Sequence, residues 1–171
     1  MQKAALYRYA RIILSAIYLT AAALIQCSVF PHIRLLGVIP DFALCAVACV
    51  SCFEEKRVSC VFAVSVGFLL DVAGGAVYVF SPAVFLLVCA VALIIRDRLP
   101  TPRVVSAASA VLTGALITGV ITAVILSAKG APFSEAFIHT SLPEILYTAI
   151  VFFPTYLLTK LHYTVFKNEK L

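Results

Sequence analysis

Val58-Ser-Cys-Val-Phe-Ala-Val-Ser-Val-Gly67-Phe-Leu-Leu-Asp71-Val-Ala-Gly74-Gly75-Ala-Val-Tyr-Val-Phe-Ser-Pro82-Ala-Val-Phe-Leu-Leu-Val-Cys89-Ala-Val-Ala-Leu-Ile-Ile95 runs for 38 residues with one formally charged side chain, Asp71. No single soluble core helix is that long. It is about twice the ~20 apolar residues that cross a bilayer's hydrocarbon. The stretch therefore predicts two membrane-spanning helices folded back at the glycines. A lone carboxylate there is costly, roughly 2–3 kcal/mol on insertion scales, and such groups face a bundle interior or a wet cavity. Asp71 is thus the first pointer to a site.

The rest of the chain agrees. Of its 171 residues 63% are hydrophobic and 12% charged, against about 25% charged in an ordinary soluble domain. No polar stretch is long enough for a separate soluble module. The expected architecture is an all-α integral membrane protein, one domain over 1–171, with six transmembrane helices in a compact bundle. The spans fall at about 12–30, 37–53, 58–74, 77–95, 104–126 and 142–159.

The net charge of +5 encodes topology and does not mark a nucleic-acid surface. Lys3, Arg8, Arg11, Lys56, Arg57, Arg96, Arg98, Arg103, Lys160, Lys167 and Lys170 fall on one side of six spans, eleven of thirteen basic residues; only Arg34 and Lys129 fall on the other. The positive-inside rule then places both termini in the cytoplasm.

Helix boundaries carry local signals. Thr101-Pro102 has the form of an N-cap followed by proline at the first helical position. Ser141-Leu-Pro143-Glu144 matches a capping box and is expected to open the sixth span. Pro154 is expected to kink that span. Between Lys129 and Ser141 the residues Phe133, Phe137 and Ile138 fit one face of a short interfacial helix, and a plain loop fits equally. A signal peptide competes for residues 3–30. However, Gln26 before Cys27 is wrong for a lipoprotein cleavage site, and the apolar stretch exceeds a typical signal core, so a retained helix is expected.

Cys45-x3-Cys49-x2-Cys52 has the spacing of a radical-enzyme iron–sulfur motif, but such a cluster needs a loop and a surrounding barrel. On an apolar helix the three cysteines read as soft packing residues. Asp41, Cys45, Cys49 and Cys52 share one face of the second helix; Cys60, Ala63, Gly67, Asp71 and Gly74 share one face of the third. Two narrow stripes invite close packing of one backbone on the other. Asp41 lies 13 residues before Glu54 and Asp71 lies 14 after Arg57, so both sit about 20 Å from the inner loop. A facing pair of aspartates beside Pro40 and the Gly74-Gly75 break is therefore expected, with Arg34 a candidate cation between them. The plainer alternatives are that Asp41 caps the second helix and that Asp71 is an interfacial residue at a helix end. On the fifth helix Ser106, Ala110, Gly114, Thr118 and Thr122 recur at steps of four and predict close helix packing, within the bundle before a partner.

The combination of a first helix, Gly37-Val-Ile-Pro40-Asp41, a basic inner turn and Gly67-Phe-Leu-Leu-Asp71-Val-Ala-Gly74-Gly75 resembles the MreD family of bacterial rod shape-determining membrane proteins. Length and six spans agree over nearly the whole chain, while the motif part covers about residues 37–75. The chain departs from the family at Ala76-Val-Tyr-Val-Phe-Ser-Pro82, where a Pro-Leu-Gly-like turn is common. The resemblance implies a non-enzymatic scaffold of the cell-elongation machinery in the bacterial inner (cytoplasmic) membrane. It would bind MreC and so connect MreB filaments to the glycosyltransferase and transpeptidase of lateral peptidoglycan synthesis. Pro40, Asp41, Gly67, Asp71, Gly74 and Gly75 would then be architectural or partner-binding, with no catalytic residue, metal or cofactor.

A rival of another class resembles the substrate-binding subunits of energy-coupling-factor vitamin transporters, six-helix bundles with an outer pocket. Against it stand sparse aromatic and charged residues there and the absence of tryptophan. An enzyme fits least. His32, His139 and His162 are scattered, and a carboxylate pair alone suits only aspartyl proteolysis, which nothing else supports.

Overall fold

The computed structural model describes residues 2–33, 37–74, 80–98 and 101–168. Apart from an isolated bridge at Val38, the regular structure of the described residues is helical: α1 (Gln2–Ser28), a 3-10 turn (Phe30–His32), α2 (Phe42–Phe53), α3 (Lys56–Ala73), α4 (Ser81–Arg98), α5 (Arg103–Ala128), α6 (Phe133–Ala136), a π-helical turn (Phe137–Ser141) and α7 (Leu142–Asn168). Six long helices thus follow the order of the six expected spans. Three stretches, Tyr7–His32, Arg103–Ala128 and Phe133–Thr164, have the length and apolarity to cross a membrane. The others fall short for different reasons. α2 has only 12 residues, while α3 carries Lys56, Arg57 and Asp71, and α4 carries Arg96, Asp97 and Arg98.

The helices run up and down. At one end, Arg8 and Arg11 of α1 reach Glu55 and Glu54 in the α2–α3 turn, and Lys56 at the start of α3 meets Asp97 at the end of α4. At the other, Gln26 of α1 meets Pro40, and Asp71 of α3 meets Ser81 of α4.

α2 lies at the centre. Every residue from Ala43 to Cys52 is buried, and the helix touches α1, α3, α4, α5 and α7. A helix apolar on all sides has no solvent face to offer, and a central position is where it belongs. The outer helices do the converse. Ile13, Ile17, Phe68, Val72, Leu116, Val124, Ile150 (70% exposed) and Leu161 point away from the core. An exposed apolar surface of this extent needs a partner or a lipid environment to cover it.

Several boundary expectations change. The second helix starts at Phe42, not residue 37, because proline at 40 donates no N–H and Asp41 caps the helix. Pro102, not Thr101, is the N-cap of α5, and no side chain bonds there. The Ser141–Glu144 segment does not open a helix, because α6 continues through the π turn into α7 and Ser141 Oγ donates 2.7 Å to Gly119 O instead. The Phe133–Ile138 region is accordingly helical, with Phe133 and Phe137 stacked at 6.1 Å. Pro154 lies inside α7 without ending it.

Candidate functional site

The residues singled out around Pro40 and Asp41 form a junction that holds the open end of the central helix. Asp41 Oδ1 accepts from Leu44 N at 2.9 Å, the geometry of an N-cap bonding the third helical amide. Gln26 of α1 closes both sides of the same turn. Its Nε2 donates to Pro40 O and its Oε1 accepts from Phe42 N, each at 2.9 Å. Asp41 N donates 3.0 Å to Thr148 Oγ1 of α7, and Cys45 Sγ donates to Thr148 O at 3.6 Å. Three helices therefore satisfy backbone groups that a broken span would otherwise leave unpaired.

Asp71 serves a parallel purpose. It is buried and its Oδ2 accepts from Ser81 N, the first residue of α4, at 3.2 Å. Gly67, one turn earlier, lets α4 approach: a Cβ there would stand 2.6 Å from both Pro82 N and Pro82 Cα. At Gly74 a Cβ would come within 2.8 Å of Leu70 O, whose acceptor already takes the Gly74 N–H.

The two aspartates thus have separate partners. Among the described residues no hydrogen bond or ion pair joins Asp41 to Asp71; the acidic neighbour of Asp41 is Glu144, one turn from Thr148 on α7. The stripes also pack differently from the expectation. The cysteine stripe of α2 meets α7 through Cys45 and α5 through Cys52, whose Sγ donates to Ser106 Oγ at 3.6 Å. The stripe of α3 instead meets α4 at Gly67. The cause is shape, since the Ser81–Pro82 backbone that opens α4 sits so close to α3 that a Cβ at position 67 has no room. Arg34 and Gly75 lie outside the described residues, as does most of the Ala76–Pro82 segment.

On α5 the small residues pack inside the bundle. Ser106 Oγ donates 2.7 Å to Ala92 O, Ala110 is fully buried, and a Cβ on Gly114 would meet Val88 Cγ2 at 2.4 Å and Leu44 Cδ1 at 2.9 Å. Toward the far end the buried face passes to Gly119 and Ala123, while Thr118, half-buried, turns its hydroxyl back to Gly114 O and Ala115 O.

At the basic end stands a centre that charge counting alone overlooks. Glu54, at the end of α2, has a fully buried carboxylate. Arg11 Nε donates to Oε1 at 3.0 Å and Nη2 to Oε2 at 3.1 Å, a bidentate fork. Tyr163 of α7 donates to Oε1 at 2.9 Å. Ser15 Oγ lies 2.9 Å from Tyr163 Oη and 3.4 Å from Glu54 Oε1, so its one proton serves either the tyrosine or the carboxylate. Arg96 Nη1 meanwhile donates to Ser51 O at 3.0 Å and Glu54 O at 2.8 Å, satisfying two carbonyls at the end of α2. Phe53 stacks on Tyr163 at 4.9 Å, and the Arg103 guanidinium lies 5.1 Å over the Phe53 ring. Lys56, through its hydrogen bond, and Arg96 beside it hold the exposed Asp97 carboxyl below the usual carboxylate range.

Chemically, these arrangements cap, clamp and admit close contact. Among the described residues no group of three or more His, Cys, Asp or Glu converges in a way that could hold a metal ion. A lateral groove of about 540 Å³ runs between α1 and α3, lined by apolar side chains apart from Thr20 and Ser65. No family model matches this chain, and no curated protein or solved structure matches it either.

Proposed function

We propose that this chain is a non-enzymatic scaffold of the MreD type. In this reading it crosses the bacterial cytoplasmic membrane six times with both termini in the cytoplasm. There it binds MreC and helps couple MreB filaments to the glycosyltransferase and transpeptidase of lateral wall synthesis. The observation that carries the proposal is how the motif residues are used. Pro40, Asp41, Gly67 and Asp71 are taken up in capping and close packing inside the bundle, which suits architecture and leaves lateral faces for helix contacts. The clustering of Arg8, Arg11, Lys56, Arg96 and Arg103 at one end agrees with a cytoplasmic face there.

Pull-down from native membrane with identification of the bound chain tests the partner. Recovery of MreC supports the scaffold; recovery of a coupling subunit with its ATPases, or of a bound vitamin, replaces it with the carrier. Depletion should give rounded, swollen cells. A reporter active only outside the cytoplasm should stay silent on either terminus, and activity at either one overturns the orientation.

A further inference from the structure

The α1–α3 groove pairs apolar walls with a charge at its mouth, and together they point to an occupant. Its α3 wall runs from Val61 through Phe68 to Val72 and its α1 wall includes Ala16, Leu19 and Thr20. From Val61 to Val72 is eleven residues, a rise of about 16 Å. With Val61 five residues from Lys56 at the start of α3, the groove begins in the cytoplasmic half of the proposed ~30 Å span and passes its midplane.

One turn below Val61, on the same face and toward the basic end, stands Arg57. It is exposed and has no ion-pair partner among the described residues, whereas its neighbours are engaged: Arg8 with Glu55 at 2.7 Å and Lys56 with Asp97 at 2.6 Å. Helical side chains lean toward the helix N-terminus, so Arg57 at the second position of α3 reaches outward along the groove axis. A long cationic side chain at such a level sits among lipid headgroups.

We propose that the α1–α3 groove binds an acyl chain of an anionic phospholipid of the cytoplasmic leaflet, with its phosphate held by Arg57. The site rests on the membrane orientation proposed above and is independent of any protein partner. A basic side chain near an anionic surface favours an anionic headgroup about fivefold over a neutral one.

The chain has no tryptophan, so Phe68→Trp puts a single fluorophore on the groove wall, replacing one exposed aromatic with another. The full chain is reconstituted in phosphatidylcholine vesicles, and quenching is titrated with brominated-chain phosphatidylglycerol or brominated-chain phosphatidylcholine. The expected result is about fivefold stronger quenching by the anionic lipid, abolished by Arg57→Gln in the same background, with no such preference at an Ile150→Trp reporter on α7. Equal quenching by both lipids at position 68 overturns the site and leaves the membrane placement standing. A preference that survives Arg57→Gln, or that appears equally at position 150, overturns it too. If neither lipid quenches and the chain still floats with the vesicles, protein covers the groove and the site is refuted. If the chain does not float, the membrane placement itself fails.

Discussion

Removing Arg11 should damage the protein more than removing the carboxylate it pairs with. The two partners differ in burial: the Glu54 side chain has no exposure, while that of Arg11 keeps 29%. With Arg11→Gln, the Glu54 carboxyl loses both fork contacts and cannot turn to water. Breaking a buried pair this way costs about 3–5 kcal/mol. With Glu54→Gln, Arg11 is left with a route to solvent, and Tyr163 can still donate to the amide oxygen. The loss is then nearer one charge-assisted bond, about 1.5 kcal/mol. The double variant lacks both charges and should resemble Glu54→Gln, giving a coupling as large as the Arg11→Gln loss itself, about 3–5 kcal/mol. Arg8→Gln is an internal control, because its pair with Glu55 is about half exposed on both sides and should contribute under about 1 kcal/mol. Reversible unfolding in mixed micelles, titrated with a denaturing detergent and followed by far-UV circular dichroism, measures all four. If Arg11→Gln costs no more than Arg8→Gln, the buried carboxylate is not what fixes this end of the bundle.

The same titration ranks the glycines. Gly67→Ala drives a methyl into the Ser81–Pro82 backbone, which cannot swing aside, and should cost about 1–3 kcal/mol. Gly114→Ala meets only side-chain atoms of Val88 and Leu44 and should cost less; the reverse order would refute the backbone contact. Asp71→Asn keeps the acceptor for Ser81 N and should be nearly neutral, whereas Asp71→Ala should lose about 1 kcal/mol as a lost cap does. Equal losses would mean that the charge, not the hydrogen bond, matters. With a maleimide in mild detergent, the half-buried Cys27 and Cys60 should label well before the buried Cys45, Cys49, Cys52 and Cys89. Early labelling of Cys49 would remove α2 from the centre.

Helix number and order were legible because long apolar runs separated by charged turns have few other solutions, and the alternating basic residues fit an up-and-down path. Partner choice was not. Asp41, Cys45, Cys49 and Cys52 do share a face, but every face of α2 is buried, so periodicity carries no information on which neighbour each one meets. The aspartates stand out in the sequence as polar exceptions within apolar runs. Their tasks turned on residues that look unremarkable in one dimension: Gln26 within an apolar first helix, Thr148 within an apolar last one, and the backbone amide of Ser81. Glu54 does not stand out because the turn Glu54-Glu55-Lys56-Arg57 reads as a charged, basic inner loop. Four mixed charges look solvated in sequence, and only the fold shows that one of the four is fully buried.

In the proposed six-span arrangement, the short central helix raises a question of length that the non-helical segment before it answers. Twelve residues of helix rise about 18 Å, well under the ~30 Å of hydrocarbon. The four residues from Val38 to Asp41 can add up to about 13 Å at the rise of extended chain, bringing the two together to roughly the full thickness. Extended backbone at that depth survives only where its polar groups find partners within the protein, and Gln26, Thr148 and the Asp41 cap provide them. A continuous helix over the same span would need more residues than the chain supplies between His32 and Glu54 once the return turn is counted. The polar clamps and the proline are therefore two halves of one arrangement. Proline ends the helix early, and Gln26 makes the early end tolerable, so Gln26→Leu should destabilise the bundle far more than a leucine in an apolar helix otherwise would.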